Sequence, residues 1–328
     1  MIAWALQARP ALDRHIRRFM PQRDLSALAD LVEVAFGEDL ARTGSPMVHD
    51  LRQMALAGPL LQLAGPLAAF LNGYVWMEDG CLVGNVSVAH KGRGIWSMTN
   101  VAVLPEYRGR GIAGQLVDAG IAHVRQQGGR RIVLQVRADN DAARTLYLHR
   151  GFCRFDTWHE LNLAARDQAS VVGPPNADLR RSRLGDTRQL WQLARDSVIP
   201  ATQHCLPLER ADFRRDLAWL IGRSLRFAFS GRETLELVAP RQGDLAACIR
   251  LSTNLGRHPY ELLMYVAQGQ RGRWESALLD GLLTRAADLP TRDWRTYVSD
   301  THPEALEACG RCAFETLRVL DQMALELG

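Results

Sequence analysis

Residues 101–113 read Val-Ala-Val-Leu-Pro-Glu-Tyr-Arg-Gly-Arg-Gly-Ile-Ala, an apolar run that stops at Pro105, crosses an Arg/Gly turn and opens into a helical pattern. A strand-to-helix junction of this kind gathers backbone N–H groups and a positive helix end at one spot, which suits a diphosphate. Gly109 and Gly111 matter there because a side chain would hold the phosphates away from the main chain. A second cluster follows downstream, in which Asn140, Ala143, Tyr147 and Gly151-Phe152 lie at helical spacing.

Several phosphate-binding patterns fit part of the loop. Gly109-x-Gly111-x-x-Gly114 satisfies the dinucleotide fingerprint, yet in that fold the glycine turn follows its strand directly, whereas here Leu104 to Arg108 intervene. Gly109 and Gly114 also have the Walker A spacing, but Gln115 and Leu116 stand where Lys and Ser/Thr are required. Arg108, Gly111 and Ala113 match a third pattern, Arg/Gln-x-x-Gly-x-Gly/Ala, and Asn140, Ala143, Leu146, Tyr147, Gly151 and Phe152 match Asn-x-x-Ala-x-x-Leu-Tyr-x-x-x-Gly-Phe at every position. With both motifs in this order, the chain resembles the GCN5-related N-acetyltransferase (GNAT) superfamily over roughly residues 15–165.

That resemblance implies an α/β fold of the α+β kind: tandem domains, each a mixed, mostly antiparallel twisted sheet flanked by helices. It implies a cofactor cleft where the fourth and fifth strands splay. It also implies acetyl-CoA as co-substrate, no metal, and transfer of an acetyl group to a primary amine by direct attack on the thioester. The acceptor is then a small molecule or a protein or peptide amine. By the same resemblance, the main chain of Val101, Ala102 and Val103 pairs with the pantetheine arm. Arg108, Gly109, Arg110, Gly111, Ile112 and Ala113 hold the pyrophosphate. Asn140 and Ala143 contact the cofactor, although Asn140 equally suits a helix N-cap. Tyr147 is the acid, because a phenol of unperturbed pKa near about 10 can protonate a thiolate whose conjugate acid lies near about 8.5; its other reading is a core aromatic.

No carboxylate stands on Trp96-Ser97-Met98-Thr99-Asn100, where many members of the superfamily place a base. Glu38, Asp39, Asp50 and His90 can act through water or be plain exposed polar residues, and Ser97 or Asn100 can contact the acceptor. The absent base is the feature that favours a different class of function, a non-catalytic acyl-CoA sensor or scaffold. Met54 to Leu71, apolar with a doubled Ala-Gly-Pro-Leu, forms either an acceptor wall or ordinary packing.

The elements that must position these residues follow from pattern. Ile16–Met20 reads as a strand, with Asp24 capping a helix to about Phe36 and an interrupted helical stretch over 38–71. Tyr74–Met77 and Cys81–Ala89 form a hairpin around Glu78-Asp79-Gly80. Trp96–Val103 feeds the loop; a helix over 112–127, a strand over 131–136 and a closing strand over 152–163 complete the domain. At 328 residues the chain suits two such domains. Gly80 and Gly243, Arg17 and Arg180, and Arg108 and Arg271 are each separated by 163 positions, and Phe152 and Phe314 by 162. Those offsets mark a duplication: a catalytic domain over 1–165, a linker over 166–177 and a second domain over 178–328. The second copy is degenerate, for Trp274 replaces Gly111, Glu275 follows it, and His302 and Cys309 stand for Asn140 and Tyr147. An indole and a carboxylate oppose a pyrophosphate by bulk and charge, so that copy is expected to lack cofactor.

A net charge of +4 without a lysine-rich tract argues against nucleic acid. Met54–Leu71 is broken by two Gly-Pro steps, so it does not read as a membrane span. Six scattered cysteines lack a disulfide framework, and Cys309-x-x-Cys312 has no second ligand pair. The start of the chain has no basic residues ahead of its short apolar run. These features point to a cytoplasmic protein, either a monomer with an internal pseudo-dimer or a homodimer.

Overall fold

A computed structural model describes residues 14–57, 72–165, 167–168, 178–215, 233–253 and 258–328. They divide into two compact units, one running to Leu134 together with Ala324–Gly328, the other spanning Gln135–Met323.

The first unit contains β1 (Ile16–Arg18), α1 (Pro21–Thr43), α2 (Met47–Ala57), β2 (Gly73–Glu78), β3 (Cys81–Gly92), β4 (Ile95–Val103), α3 (Ile112–Gln126) and the start of β5 (Arg131–Arg137). Strand order follows chain order, antiparallel from β1 to β4 and parallel between β4 and β5. The hairpin turns at Asp79 and Gly80, both at positive φ (47° and 80°), the pair that a two-residue type I′ turn requires.

Alternation along β3 decides what covers each face. Gly84 faces α3 so closely that a Cβ would lie 2.9 Å from Leu116 Cδ1, and Gly120 of α3 is equally tight against Met98 Cε. These two glycines let the helix sit low on the sheet. On the opposite face Leu25, Leu28, Leu31 and Val32 of α1 pack with Val75 and Ala102. The Leu327 N–H donates to the Arg130 carbonyl at 2.8 Å, and Glu326 pairs with Arg131 at 2.5 Å.

Helix α1 is longer than its pattern suggests: it passes Gly37 without a break and stops at Gly44, whose left-handed φ of 58° closes the last turn. Met20, not Asp24, is its N-cap. Asp24 sits in the first turn, accepts the Met20 N–H at 2.7 Å and forks with Arg17 at 2.6 and 2.7 Å. Residues 58–71, most of the apolar segment expected beside an acceptor, lie outside the described residues.

The second unit holds α4 (Asp141–Leu148), β6 (Cys153–Leu163), β7 (Arg180–Arg181), α5 (Thr187–Ser197), α6 (Pro200–Cys205), β8 (Thr234–Arg241), β9 (Asp244–Ser252), β10 (Tyr260–Val266), α7 (Glu275–Arg285), β11 (Trp294–Ser299), α8 (Pro303–Arg311) and most of β12 (Glu315–Glu326). Its strands run in the order β12-β6-β11-β10-β9-β8-β7. The Ala138 N–H just past β5 donates to Val319 of β12 at 2.9 Å. β6 pairs antiparallel with β11 from Trp158↔Ser299 to Leu163↔Trp294, so a strand from the first repeat completes a sheet built mainly from the second.

The duplication is visible in local geometry. The second hairpin turns at Gln242 and Gly243 with positive φ of 35° and 91°, repeating Asp79 and Gly80. Arg180 forks with Asp186 at 2.8 and 3.0 Å, repeating Arg17 with Asp24. The face beneath α5 differs. Glu236 of β8 accepts from Arg215 at 2.8 and 2.6 Å and from Arg250 of β9 at 2.5 Å, all three side chains being buried. Burial pushes the Glu236 carboxyl up, but Arg250 and Arg215 outweigh it and hold it below its ordinary value. Replacing Glu236 with Gln leaves two buried guanidiniums without their counter-charge, and should cost about 3–5 kcal/mol of unfolding free energy in urea titrations. A loss under about 1 kcal/mol would mean the cluster is hydrated.

Candidate active site

β4 and β5 stay paired for only three residue pairs, Ile95↔Arg131, Trp96↔Ile132 and Ser97↔Val133, after which β4 runs on to Val103 with no strand partner on that side among the described residues. A parallel strand without a neighbour leaves its backbone groups facing the gap. The gap is accentuated by a bulge. Between the pairs Ser87↔Thr99 and Asn85↔Ala102, β3 spends one residue and β4 spends two, with Asn100 at φ 51°. Asn85, wholly buried on β3, donates through Nδ2 to the Asn100 carbonyl at 2.9 Å and to Ser87 Oγ at 3.1 Å.

Past Val103 the chain makes a short 3-10 turn over Pro105–Tyr107 and delivers Gly109, Arg110 and Gly111 to the mouth of α3. Gly109 and Gly111 have φ of 77° and 76°, the left-handed region, and a Cβ at either would meet nothing within 4 Å. Open space above two glycines, beside first-turn amides with no partner inside the helix, fits a bound phosphate. Gly111 is the N-cap and has no side chain to occupy that position. The loop is braced from within: Arg108 donates its N–H to Pro105 O at 3.2 Å and its Nε to Val103 O at 3.1 Å. Arg110 reaches Glu106 O at 3.0 Å and covers the Tyr107 ring at 4.9 Å. The Arg108 amide is thus spent on the loop itself, and the amides from Gly109 to Ala113 remain for a ligand.

In the second unit, Asn140 caps α4, its Oδ1 accepting the Ala143 N–H at 3.1 Å. Tyr147 is buried at 6% exposure and meets Phe152 edge to face at 5.7 Å. Its hydroxyl makes no hydrogen bond among the described residues, and burial pushes its pKa up to about 12. The phenol therefore keeps its proton across the physiological range. α4 is anchored by Arg144, whose Nε donates to Asp321 of β12 at 3.0 Å.

The loop of the second repeat has the same outline and a different content. Gly272 keeps a positive φ of 79°, but Trp274 is the N-cap of α7 and is 8% exposed. Glu275 turns its carboxylate back onto its own helix start, accepting the Trp274 N–H at 3.1 Å through Oε2 and holding His302 Nε2 at 2.8 Å through Oε1. Burial would raise that carboxyl, and His302 with the backbone N–H groups of Glu275 and Gly272 lowers it below its ordinary value. Arg271 is committed as well, to the carbonyls of Thr301 at 2.5 Å and Ser197 at 3.0 Å. The positive helix end is thus occupied by the chain's own anion. Cys309 and Cys312 are free and buried, with burial raising their pKa values to about 12 and about 11, which keeps both as thiols. Among the described residues no cluster of three or more His, Cys, Asp or Glu could hold a metal ion, and no helix is long and apolar enough to cross a membrane.

Comparison with known proteins meets the same residues. Residues 48–152 match the acetyltransferase (GNAT) family. That match spans about a third of the chain. N-alpha-acetyltransferase 30 of Schizosaccharomyces pombe is 36% identical over 76 residues, 23% of this chain and 51% of that protein. A mycothiol acetyltransferase of Paenarthrobacter aurescens is 47% identical over 57 residues, 17% of this chain and 18% of that one. The chain thus spans about half the length of the first relative and less of the second. A tandem GNAT protein from the clavulanic acid biosynthesis pathway superposes with a TM-score of 0.57 over 95% of this chain and 99% of its own, at 17% identity, which establishes the tandem GNAT fold.

Motif reading missed Asn85. Its signal was present: it interrupts an apolar strand, Leu82-Val83-Gly84-Asn85-Val86, at a position that alternation places on the α1 face. For Glu275 the pH dependence has a definite sign. Its folded pKa lies below the ordinary 4.5, so its contribution is present above pH 4.5 and is lost as pH falls through the folded value. The unfolding midpoint of Glu275→Gln should therefore vary less than that of the parent in acid titrations below pH 4.5. Identical acid limbs would remove the carboxylate from this role.

Proposed function

We propose that this GNAT chain is an acetyl-CoA-dependent N-acetyltransferase acting on a primary amine, with its donor site in the first repeat. The observation that carries this reading is the open glycine loop at the end of a strand that has parted from its neighbour. Amides from Gly109 to Ala113 hold the pyrophosphate, and the main chain of Val101 to Val103 binds the pantetheine arm as an added strand would. The bound co-substrate supplies an acetyl thioester. The amine nitrogen attacks the carbonyl carbon, the C–N bond forms, the C–S bond breaks, and coenzyme A leaves as a thiol. Tyr147 gives the proton to sulfur, the proton displaced from nitrogen passes to solvent, and solvent returns one to the Tyr147 phenolate. Backbone donors aimed at the developing oxyanion need no reorganisation as charge builds, and each is worth about 10²–10³ in rate in other acyl transfers.

The second repeat is proposed to have no cofactor site, because Glu275 already fills the helix end that a pyrophosphate would use. An unfilled loop in one copy and a self-filled loop in the other support one donor site per chain. The acceptor is a primary amine of a small molecule, peptide or protein, and the six free cysteines suit a reducing, cytoplasmic setting.

Calorimetry with acetyl-CoA should give one site per chain. Gly111→Trp should abolish that binding, since an indole at φ 76° is strained and fills the cradle; retained binding would undo the loop assignment. Trp274→Gly should leave the stoichiometry at one, and a value of two would contradict the self-filled reading. Tyr147→Phe should lower turnover, followed as thiol release over a panel of amines, while leaving acetyl-CoA affinity within about threefold. Binding by the parent without turnover on any amine would favour the acyl-CoA sensor.

A further inference from the structure

The bulge in β4 and the buried amide of Asn85 belong together. In a trans peptide the carbonyl of one residue and the N–H of the next point in opposite directions. No peptide among the described residues is cis. The Asn100 carbonyl is turned toward β3, where Asn85 Nδ2 donates to it at 2.9 Å. The Val101 N–H on the same peptide therefore points away from β3, to the side that β5 vacates after Ser97↔Val133. Asn100 holds a φ of 51°, a conformation that costs a non-glycine residue and persists only where neighbours impose it.

The second repeat supplies an internal control. Register makes the equivalence explicit: Val75↔Asn85↔Ala102 in the first sheet corresponds to Val238↔Cys248↔Tyr265 in the second, each member shifted by 163. Cys248 therefore stands where Asn85 does, and it cannot donate two hydrogen bonds. β10 pairs with β9 without a register shift from Glu261↔Ser252 to Val266↔Ala247, and none of its residues has positive φ. Ser87↔Thr99 corresponds to Arg250↔Leu263, so one fewer residue separates the two pairs on β10 than on β4. The amide and the bulge are present together in the copy with an open loop and missing together in the copy whose loop is self-filled.

Stability alone does not account for Asn85. Its Oδ1 is buried and has no hydrogen-bond partner among the described residues, a cost of about 1–3 kcal/mol that an apolar side chain would avoid.

We infer that Asn85 is a positioning residue: its Nδ2 pins the Asn100 carbonyl and so fixes the Val101 N–H as the donor to the thioester carbonyl oxygen. The inference rests on the acetyltransferase reading above and adds the residue that aims its oxyanion donor. It acts through the peptide and does not touch the reacting atoms.

The test compares the full chain with Asn85→Leu, close in volume but without a donor, and with Asn85→Ser as a smaller second variant. The probes are acetyl-CoA and coenzyme A, which differ by the acetyl group. In the parent, the Val101 amide resonance should shift downfield with acetyl-CoA and stay in place with coenzyme A. In either variant that shift should vanish, coenzyme A affinity should stay within about threefold, and turnover should fall roughly tenfold or more. A Val101 resonance that responds equally in a folded variant overturns the role, as does an equal loss of affinity for both probes. A parent that binds neither probe overturns the acetyltransferase reading itself. Should Asn85→Leu not fold, Asn85→Ser and the parent's own Val101 response still decide the matter.

Discussion

Parting two parallel strands inside a sheet leaves backbone donors and acceptors that something must satisfy. Buried main-chain polar groups are rarely left alone, so the gap that opens beyond Ser97 and Val133 cannot stay empty at no cost. The first unit answers with exposure: the glycine loop has open space above it and the mouth of α3 is uncapped by any side chain. Much of the surrounding packing exists to keep that arrangement fixed. Gly84 and Gly120 let α3 approach the sheet to the limit of contact, and Arg108 ties the loop to the end of β4. The helix that presents its amides is therefore held at one height and one angle.

The second repeat meets the same constraint with its own side chains. β10 and β11 also stay paired for only three residue pairs, Tyr260↔Trp294 to Leu262↔Thr296. There Glu275 folds onto the start of its helix, His302 secures it, and the Trp274 side chain is buried. A carboxylate at a helix N-terminus is favourable for the same electrostatic reason that a phosphate is. Burial also distinguishes the copies across the sheet: a carboxylate with two arginines lies beneath α5, whereas Leu25, Leu28 and Val32 of α1 pack on the apolar Val75 and Ala102.

Short-range chemistry was readable from the chain. Positive φ at Gly109 and Gly111, the type I′ turns at both hairpins and the Asn140 cap depend on a few neighbouring residues, and their sequence signatures are local. The duplication was legible because an offset of 163 survives in residues that each make the same local contact, as Arg17 with Asp24 and Arg180 with Asp186 do. Helix α1 outran its pattern because Gly37 inside a helix costs only about 1 kcal/mol, which packing against β2 and β4 overrides. Asp156 shows the opposite limit. It accepts from Thr157, Trp158, Thr202 and Ser299 at 2.6–2.8 Å, and two of those partners are more than 40 positions away. Nothing in its own neighbourhood announces them.

The tandem fold, the glycine turn that follows β4 and the different contents of the two loops were legible along the chain, because each is written in the types and spacing of residues close in sequence. Tertiary structure alone decided where strands part, which peptide turns over at Asn100, that β6 completes a sheet with β11, and that Asp321 of the last strand holds the helix bearing Tyr147. Those outcomes depend on partners distant in sequence. A hydrogen bond between Asn85 and Asn100, or between Arg144 and Asp321, has no local pattern to betray it until the sheet brings its ends within 3 Å.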